Sequence, residues 1–192
     1  RVFTGLPVRG DLHNGDRRLG FEFCRFSDES KTPVVLVMGG SSGAQRINAA
    51  LLSALPDLVK EFRIVHITGR GKAIDFHHDH YRAFEFVGPE LKDIYAISDL
   101  VVSRAGANSI FELLVLRKPM LLIPLVVGSR GDQLDNARSF AKQQWAWVLE
   151  EKDLNSQNLY RKLKDLLDQA SVMVSTQSQY MGNANAMVIE SM

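Results

Sequence analysis

The sequence predicts a Rossmann-like α/β domain, a doubly wound parallel sheet of about six strands wrapped by helices. Short β-rich apolar runs alternate with segments whose apolar residues recur at three and four positions, the pattern of strand–helix units. Glycine- and small-residue-rich stretches follow the first, fourth and fifth of those runs, where an open parallel sheet carries its ligand loops. The chain has 192 residues and is 45% hydrophobic, enough for one generous domain with its own core.

The first strand, 34–38, is an unbroken apolar run between Pro33 and Gly39. Further strands are expected at 63–68, 83–87, 99–103, 119–124 and 145–149, each of strand length and rich in β-branched or aromatic residues. Helices are expected at 44–62, 91–98, 108–117, 132–143 and 154–169. Pro119 stops the fourth strand's helix and admits the next strand. Residues 71–82 fit neither period, and the segment from Gly10 to Thr32, with Gly10, Gly15 and Gly20, reads as a connector with one short helix rather than as core. The tail from Ala170 reads as a helix that packs elsewhere. The chain opens on Arg1, not Met, with a strand-like run into a turn, which suggests a piece of a longer protein.

Composition narrows the function classes. With 23 basic and 22 acidic residues the formal charge is +1, so no global field favours nucleic acid or an anionic membrane. Cys24 stands alone, which excludes an internal disulfide framework and a Cys-based zinc site and fits a reducing, cytoplasmic setting. The longest apolar runs fall well short of the roughly 20 residues of a bilayer span.

Three loops carry candidate chemistry. Gly39-Gly-Ser-Ser-Gly-Ala44 after the first strand permits close approach of an anion to backbone N–H groups, with Ser41 and Ser42 adding hydroxyl donors. Its glycine spacing matches neither a dinucleotide fingerprint nor a P-loop, and a plain tight turn fits it too. Arg104-Ala-Gly-Ala-Asn-Ser-Ile-Phe-Glu112 after the fourth strand puts small residues, Ala107, Asn108 and Ser109, at a helix start able to take a diphosphate. Glu112, one turn on, could accept both hydroxyls of a ribose; alternatively Asn108 or Ser109 and Glu112 form a capping box. After the fifth strand, Asp132, Gln133 and Asn136 lie at the start of a helix and suit sugar hydroxyls, or simply belong to an N-capped surface helix.

Other signals are set aside. His77-His-Asp-His80 could pair only two imidazoles on a helix, and Asp75, Asp79 and Asp93 form no Asp-x-Asp pair, so no metal is expected. Arg70-Gly-Lys72 reads as a solvated loop, Trp145 and Trp147 as packing on one strand face, and Cys24 as a packed thiol.

The loop motifs also carry a resemblance. Gly-Gly-Ser-x-Gly-Ala, Ser-Arg-Ala-Gly-Ala-Asn-Ser-Ile-Phe-Glu followed by Lys-Pro, Gly-Asp-Gln-x-x-Asn-Ala and the opening Thr4-Gly-Leu-Pro-Val-Arg9 resemble the C-terminal domain of the MurG family, glycosyltransferase family 28. The resemblance implies one half of a GT-B fold: residues 1–32 as interdomain connector and start of the domain, 33–169 as the UDP-sugar donor domain and 170–192 as a helical tail. It implies UDP-N-acetylglucosamine as substrate, with no cofactor. The diphosphate would lie on Gly39, Gly40, Ser41 and the 107–109 helix start, the ribose on Glu112, the uracil on Phe86 and Val87, the sugar on Asp132, Gln133 and Asn136, with Arg9 near the nucleotide. Leu6 stands where the family often has Asn, and Asp132 where relatives have Gln or His.

The family's reaction makes lipid II from a lipid-linked acceptor at the inner face of the plasma membrane. That acceptor and the catalytic base belong, by the resemblance, to an N-terminal domain outside this chain, so no catalytic residue is expected in it. UDP departs with growing negative charge, which preorganised N–H donors stabilise. A glycolipid glucosyltransferase, a UDP-sugar epimerase and a non-catalytic half of a split transferase share the same scaffold.

Overall fold

The structure is a computed structural model and describes residues 10–28, 30–39, 45–126 and 131–190, with side chains in the last helix up to residue 178. At its centre is a six-stranded, all-parallel sheet: β1 (Val34–Met38), β2 (Arg63–Ile67), β3 (Tyr81–Phe84), β4 (Leu100–Ser103), β5 (Met120–Leu122) and β6 (Trp147–Val148). The spatial order is β3-β2-β1-β4-β5-β6, so the chain winds outward from β1 in one direction and then, from β4, in the other. Six helices connect the described strands or flank them: α1 (Arg17–Cys24), α2 (Gln45–Glu61), α3 (Leu91–Ile97), α4 (Ala107–Val115), α5 (Asp132–Lys142) and α6 (Ser156–Glu190).

Both faces of the sheet are covered, which is why its central strands are apolar throughout rather than alternating. Val34 and Leu36 of β1 pack into a core with Phe21, Ile94, Ile97, Ile110, Leu113 and Phe140, from α1, α3, α4 and α5. Val35 and Val37 face the opposite core, built by Leu51, Leu55 and Leu58 of α2 with Leu159, Leu163 and Leu166 of α6. Each such buried leucine contributes about 1.5–3 kcal/mol of burial free energy.

The expected strands and helices form, with ends displaced by a few residues, except that the last helix, expected over 154–169, runs from Ser156 to Glu190. β3 starts earlier than the expected 83–87, because Ile64 N–H bonds to His80 C=O and the pairing begins at Ile64 and Tyr81. Residues 72–78 carry no regular structure.

The segment read as a connector belongs to the core instead. A 3-10 turn at Gly10–Asn14 buries Leu12, and α1 buries Phe21 and Cys24. Asp16 caps α1, accepting from the N–H groups of Arg18 and Leu19, while its own N–H donates to Asp93 Oδ1 at 2.7 Å. Gly15 and Gly20 are packing residues: a Cβ on Gly20 would sit 2.3 Å from the Asp93 carbonyl oxygen, so these glycines let α1 lie close on α3.

The tail likewise packs here. α6 runs without a break through residue 170, with Met173 in the core and Gln177 buried, its Nε2 donating to the Lys118 and Trp145 carbonyls at 3.1 and 2.9 Å. The two tryptophans do not share a face. Trp145 precedes β6 and packs edge-on to Phe140 in the first core, whereas Trp147 packs in the second.

Candidate functional site

Winding outward both ways from the centre leaves β1 and β4 as neighbours whose following helices lie on opposite sides, the switch point beyond whose carboxyl ends an open α/β sheet has its ligand crevice. Gly39, buried, leaves β1 there. Gly40 and Ser41, like Arg9, fall outside the described residues.

The loop from β4 is short: Arg104, Ala105, Gly106, then α4. Gly106 is the N-cap, with extended backbone and no side-chain hydrogen bond to the helix. The capping-box alternative therefore does not hold, since Asn108 and Ser109 lie inside the first turn and Glu112 is too far along to reach the cap. Without a side-chain cap, the leading N–H groups of Ala107, Asn108 and Ser109 have no acceptor within the helix. Their partial positive charge lies at the crevice. Asn108 is exposed, and Ala107, Ser109 and Glu112 are half-buried.

α5 brings the third loop onto the second. Its N-cap, Gly131, has φ 86° and no side-chain cap, so the side-chain-capped alternative is not what forms. Gln133 Oε1 accepts the Leu125 N–H at 3.0 Å, and Asn136 Nδ2 donates to the Ala105 carbonyl at 3.2 Å. Two of the three residues expected to meet a sugar, Gln133 and Asn136, thus each use part of the side-chain amide to tie α5 to a neighbouring loop. Asp132 is exposed at the helix start.

Beside this, beyond the ends of β1, β2 and β3, lies a cleft of about 570 Å³ lined by Met38, Ile67, Arg70, Phe86, Val87 and Leu91. Phe86 is 63% exposed despite its size. The Arg70 guanidinium covers its ring at 5.0 Å, and Glu85 accepts the Gly71 N–H at 3.0 Å. Arg70, set aside in the sequence as a solvated loop residue, is part of this cleft, in a turn that Gly69 and Gly71 allow with φ 93° and 68°. An apolar floor with a flat cation–aromatic wall suits a planar heterocycle.

Beneath the cleft, His66 bridges Asn48 Oδ1 and Tyr81 Oη, both at 3.0 Å, and burial lowers its pKa to about 4. The ring is neutral at physiological pH and serves as structure. A groove of about 740 Å³ runs along the edge strand β6 instead; of its lining cations, Arg138 and Lys152 pair with Glu150, and Lys162 lies over Trp147. Asp93 is held by Asp16 and Lys92, and His77 pairs with Asp75 in an exposed, non-helical stretch. Among the described residues no three His, Cys, Asp or Glu side chains gather as a metal site would need.

The profile of the glycosyltransferase family 28 C-terminal domain matches residues 34–191. The chain belongs to this family. A Bacillus cereus protein named UDP-N-acetylglucosamine–N-acetylmuramyl-(pentapeptide) pyrophosphoryl-undecaprenol N-acetylglucosamine transferase 2 is 48% identical over 168 residues, covering 86% of this chain and 47% of that protein. A Clostridium perfringens transferase of the same name, without the numeral, is 45% identical over 166 residues, 85% of this chain and 46% of its own length. The chain therefore spans about half the length of the curated relatives it matches. Among solved structures, Acinetobacter baumannii MurG superposes with a TM-score of 0.66 at 20% identity, over 86% of this chain and 54% of that one. The glycosyltransferase of kitacinnamycin gives a TM-score of 0.70 at 18% identity, over 95% and 44%. The fold of family 28 here is the GT-B half that the sequence predicts.

Proposed function

We propose that this chain is the donor-binding half of an inverting transferase that moves N-acetylglucosamine from UDP-N-acetylglucosamine to a lipid-linked muramyl-pentapeptide acceptor, completing lipid II. The observation that carries the reading is the uncapped start of α4 after β4, the neighbour of β1, together with an apolar cleft beyond the ends of β1, β2 and β3, in a chain nearly half identical to transferases of that name. Diphosphate and base need those two surfaces next to each other.

In this reading the uracil enters the cleft at Phe86 and Val87, with Arg70 closing its wall. Glu112 takes the ribose, and the N–H groups of residues 107–109 take the diphosphate together with Gly39, Gly40 and Ser41. Gln133, Asn136 and Asp132 face the sugar, and Arg9 approaches the nucleotide. As the glycosidic bond breaks, charge grows on the departing UDP, and N–H donors already fixed in a helix start stabilise it without reorganising. The base that deprotonates the acceptor hydroxyl, and the acceptor's lipid, are assigned to an N-terminal domain that works at the cytoplasmic face of the membrane. No helix among the described residues is long and apolar enough to cross a membrane.

Calorimetric titration tests this. UDP-N-acetylglucosamine is expected to bind more tightly than UDP-glucose, and Glu112→Ala to weaken UDP by about 1–3 kcal/mol through lost charge-assisted hydrogen bonds. Equal affinity for the two sugars removes the sugar assignment. Unchanged UDP affinity in Glu112→Ala removes the ribose role.

A further inference from the structure

Glu151 lies just past β6, in a 3-10 turn, with its side chain 8% exposed. One carboxylate oxygen meets Arg104 Nη2 at 2.6 Å and the other meets Arg46 Nη1 at 3.5 Å. Arg46 Nη2 also donates to the Glu151 backbone carbonyl at 2.7 Å. Arg104, itself buried, donates Nη1 to the Ile123 carbonyl at 3.0 Å.

These groups belong to segments far apart in the chain and share one destination. Arg46 is the second residue of α2, directly after the glycine-rich loop from β1. Arg104 opens the loop into α4, and Ile123 opens the loop from β5 towards α5. One buried carboxylate thus ties the first turn of α2 to the turn into α4 and, through Arg104, to the residue that follows β5. A buried ion pair contributes little net stability over apolar packing, but its fork-shaped arginine contacts fix geometry.

We propose that Glu151 is a positioning residue for the donor diphosphate: through Arg104 and Arg46 it sets the spacing of the start of α2, the turn into α4 and the residue that follows β5. The proposal rests on the donor reading above. Glu151 touches no ligand in this account and acts only through the arginines.

Position and charge predict opposite results, which makes the idea testable. Removing the carboxylate takes one negative charge away from the two arginines, so field alone would tighten UDP binding. Loosened loops would weaken it. The experiment measures UDP affinity by calorimetry and uridine affinity by NMR titration for wild type, Glu151→Gln and Glu151→Asp. Glu151→Gln is expected to weaken UDP about tenfold, the scale of a misplaced binding group, while uridine changes less than about twofold. Glu151→Asp keeps the charge but is too short to span both arginines, so an intermediate loss for UDP is expected; this variant carries the comparison alone if the glutamine variant does not fold. Unchanged or tighter UDP binding overturns the proposal, and so does an equal loss for UDP and uridine, which marks general destabilisation. If wild type binds UDP no better than uridine, the donor reading itself fails, whatever the variants do.

Discussion

His66 makes the stability of this domain depend on pH in a way that can be worked out. Its ring lies between Asn48 and Tyr81 with 1% of its surface exposed, and burial holds its pKa at about 4 against 6.5 for a free imidazole. The folded state therefore binds the proton less readily than the unfolded one. Stability is fully present above pH 6.5 and is lost as pH falls towards 4, where the folded ring also protonates. The whole shift corresponds to about 3 kcal/mol, and about 2 kcal/mol of it is lost between pH 7.5 and pH 5. Urea unfolding at several pH values across that interval reads the loss directly. The control is His66→Gln, which keeps a polar group there and does not titrate. The variant is expected to be less stable at pH 7.5 yet flatter with pH by about 2 kcal/mol. Carboxylates titrate equally in both proteins and cancel in the comparison. Parallel pH curves for wild type and variant would refute the assignment of a buried neutral imidazole.

Gly20→Ala sets two effects against each other: helix propensity favours alanine by about 1 kcal/mol, but the new Cβ would meet the Asp93 backbone oxygen at 2.3 Å and Ile97 Cγ2 at 2.8 Å. Because backbone cannot step aside, overpacking of about 1–3 kcal/mol is expected to win, and a raised urea midpoint would count against the α1–α3 contact. Cys24, fully buried with its thiol pushed up to about 12 by desolvation, is expected to resist a disulfide reagent at pH 8 until the domain is unfolded; fast labelling of native protein would contradict this. Gln177→Ala leaves the Lys118 and Trp145 carbonyls without their donor and is expected to cost about 1–3 kcal/mol, measured by denaturant unfolding, whereas a neutral result would mean that this stretch of α6 does not hold the sheet.

What could be read in the sequence was whatever is local. Val34–Met38 is a continuous apolar run closed by proline and glycine, and it forms β1 with those bounds. The small residues after Ser103 announced a helix start without side-chain bulk, and α4 begins there. Less legible was anything decided by a distant partner. Gly15 and Gly20 look like loop residues until α3 is laid against them. Phe86 continues an alternating strand pattern, yet β3 ends at Phe84 and the ring is left for the cleft, where Arg70 covers it. The pairing of Arg104 with Glu151 gave no signal, since the two are 47 positions apart and Glu151 alone reads as an ordinary surface charge. Gln133 and Asn136 were located by their spacing, but their bonds to Leu125 and Ala105 appear only when α5 is docked.

The adjacency of β1 and β4 bears on the order in which this molecule acquires its parts. Val34 bonds to Asp99 across 65 positions, and Arg46 reaches Glu151 across 105. Contacts of such separation close slowly, and during synthesis they must wait for the later segment to be made. Half of the sheet, β1 to β3 with α2, exists as a contiguous stretch long before the other half emerges, but it has only one wall of the crevice. The cradle closes when residue 151 arrives beneath loops that were made earlier. On the proposed donor reading, nucleotide capture would report that the last strand has docked, and a nucleotide added during refolding would select molecules that have finished, without hastening those still on their way.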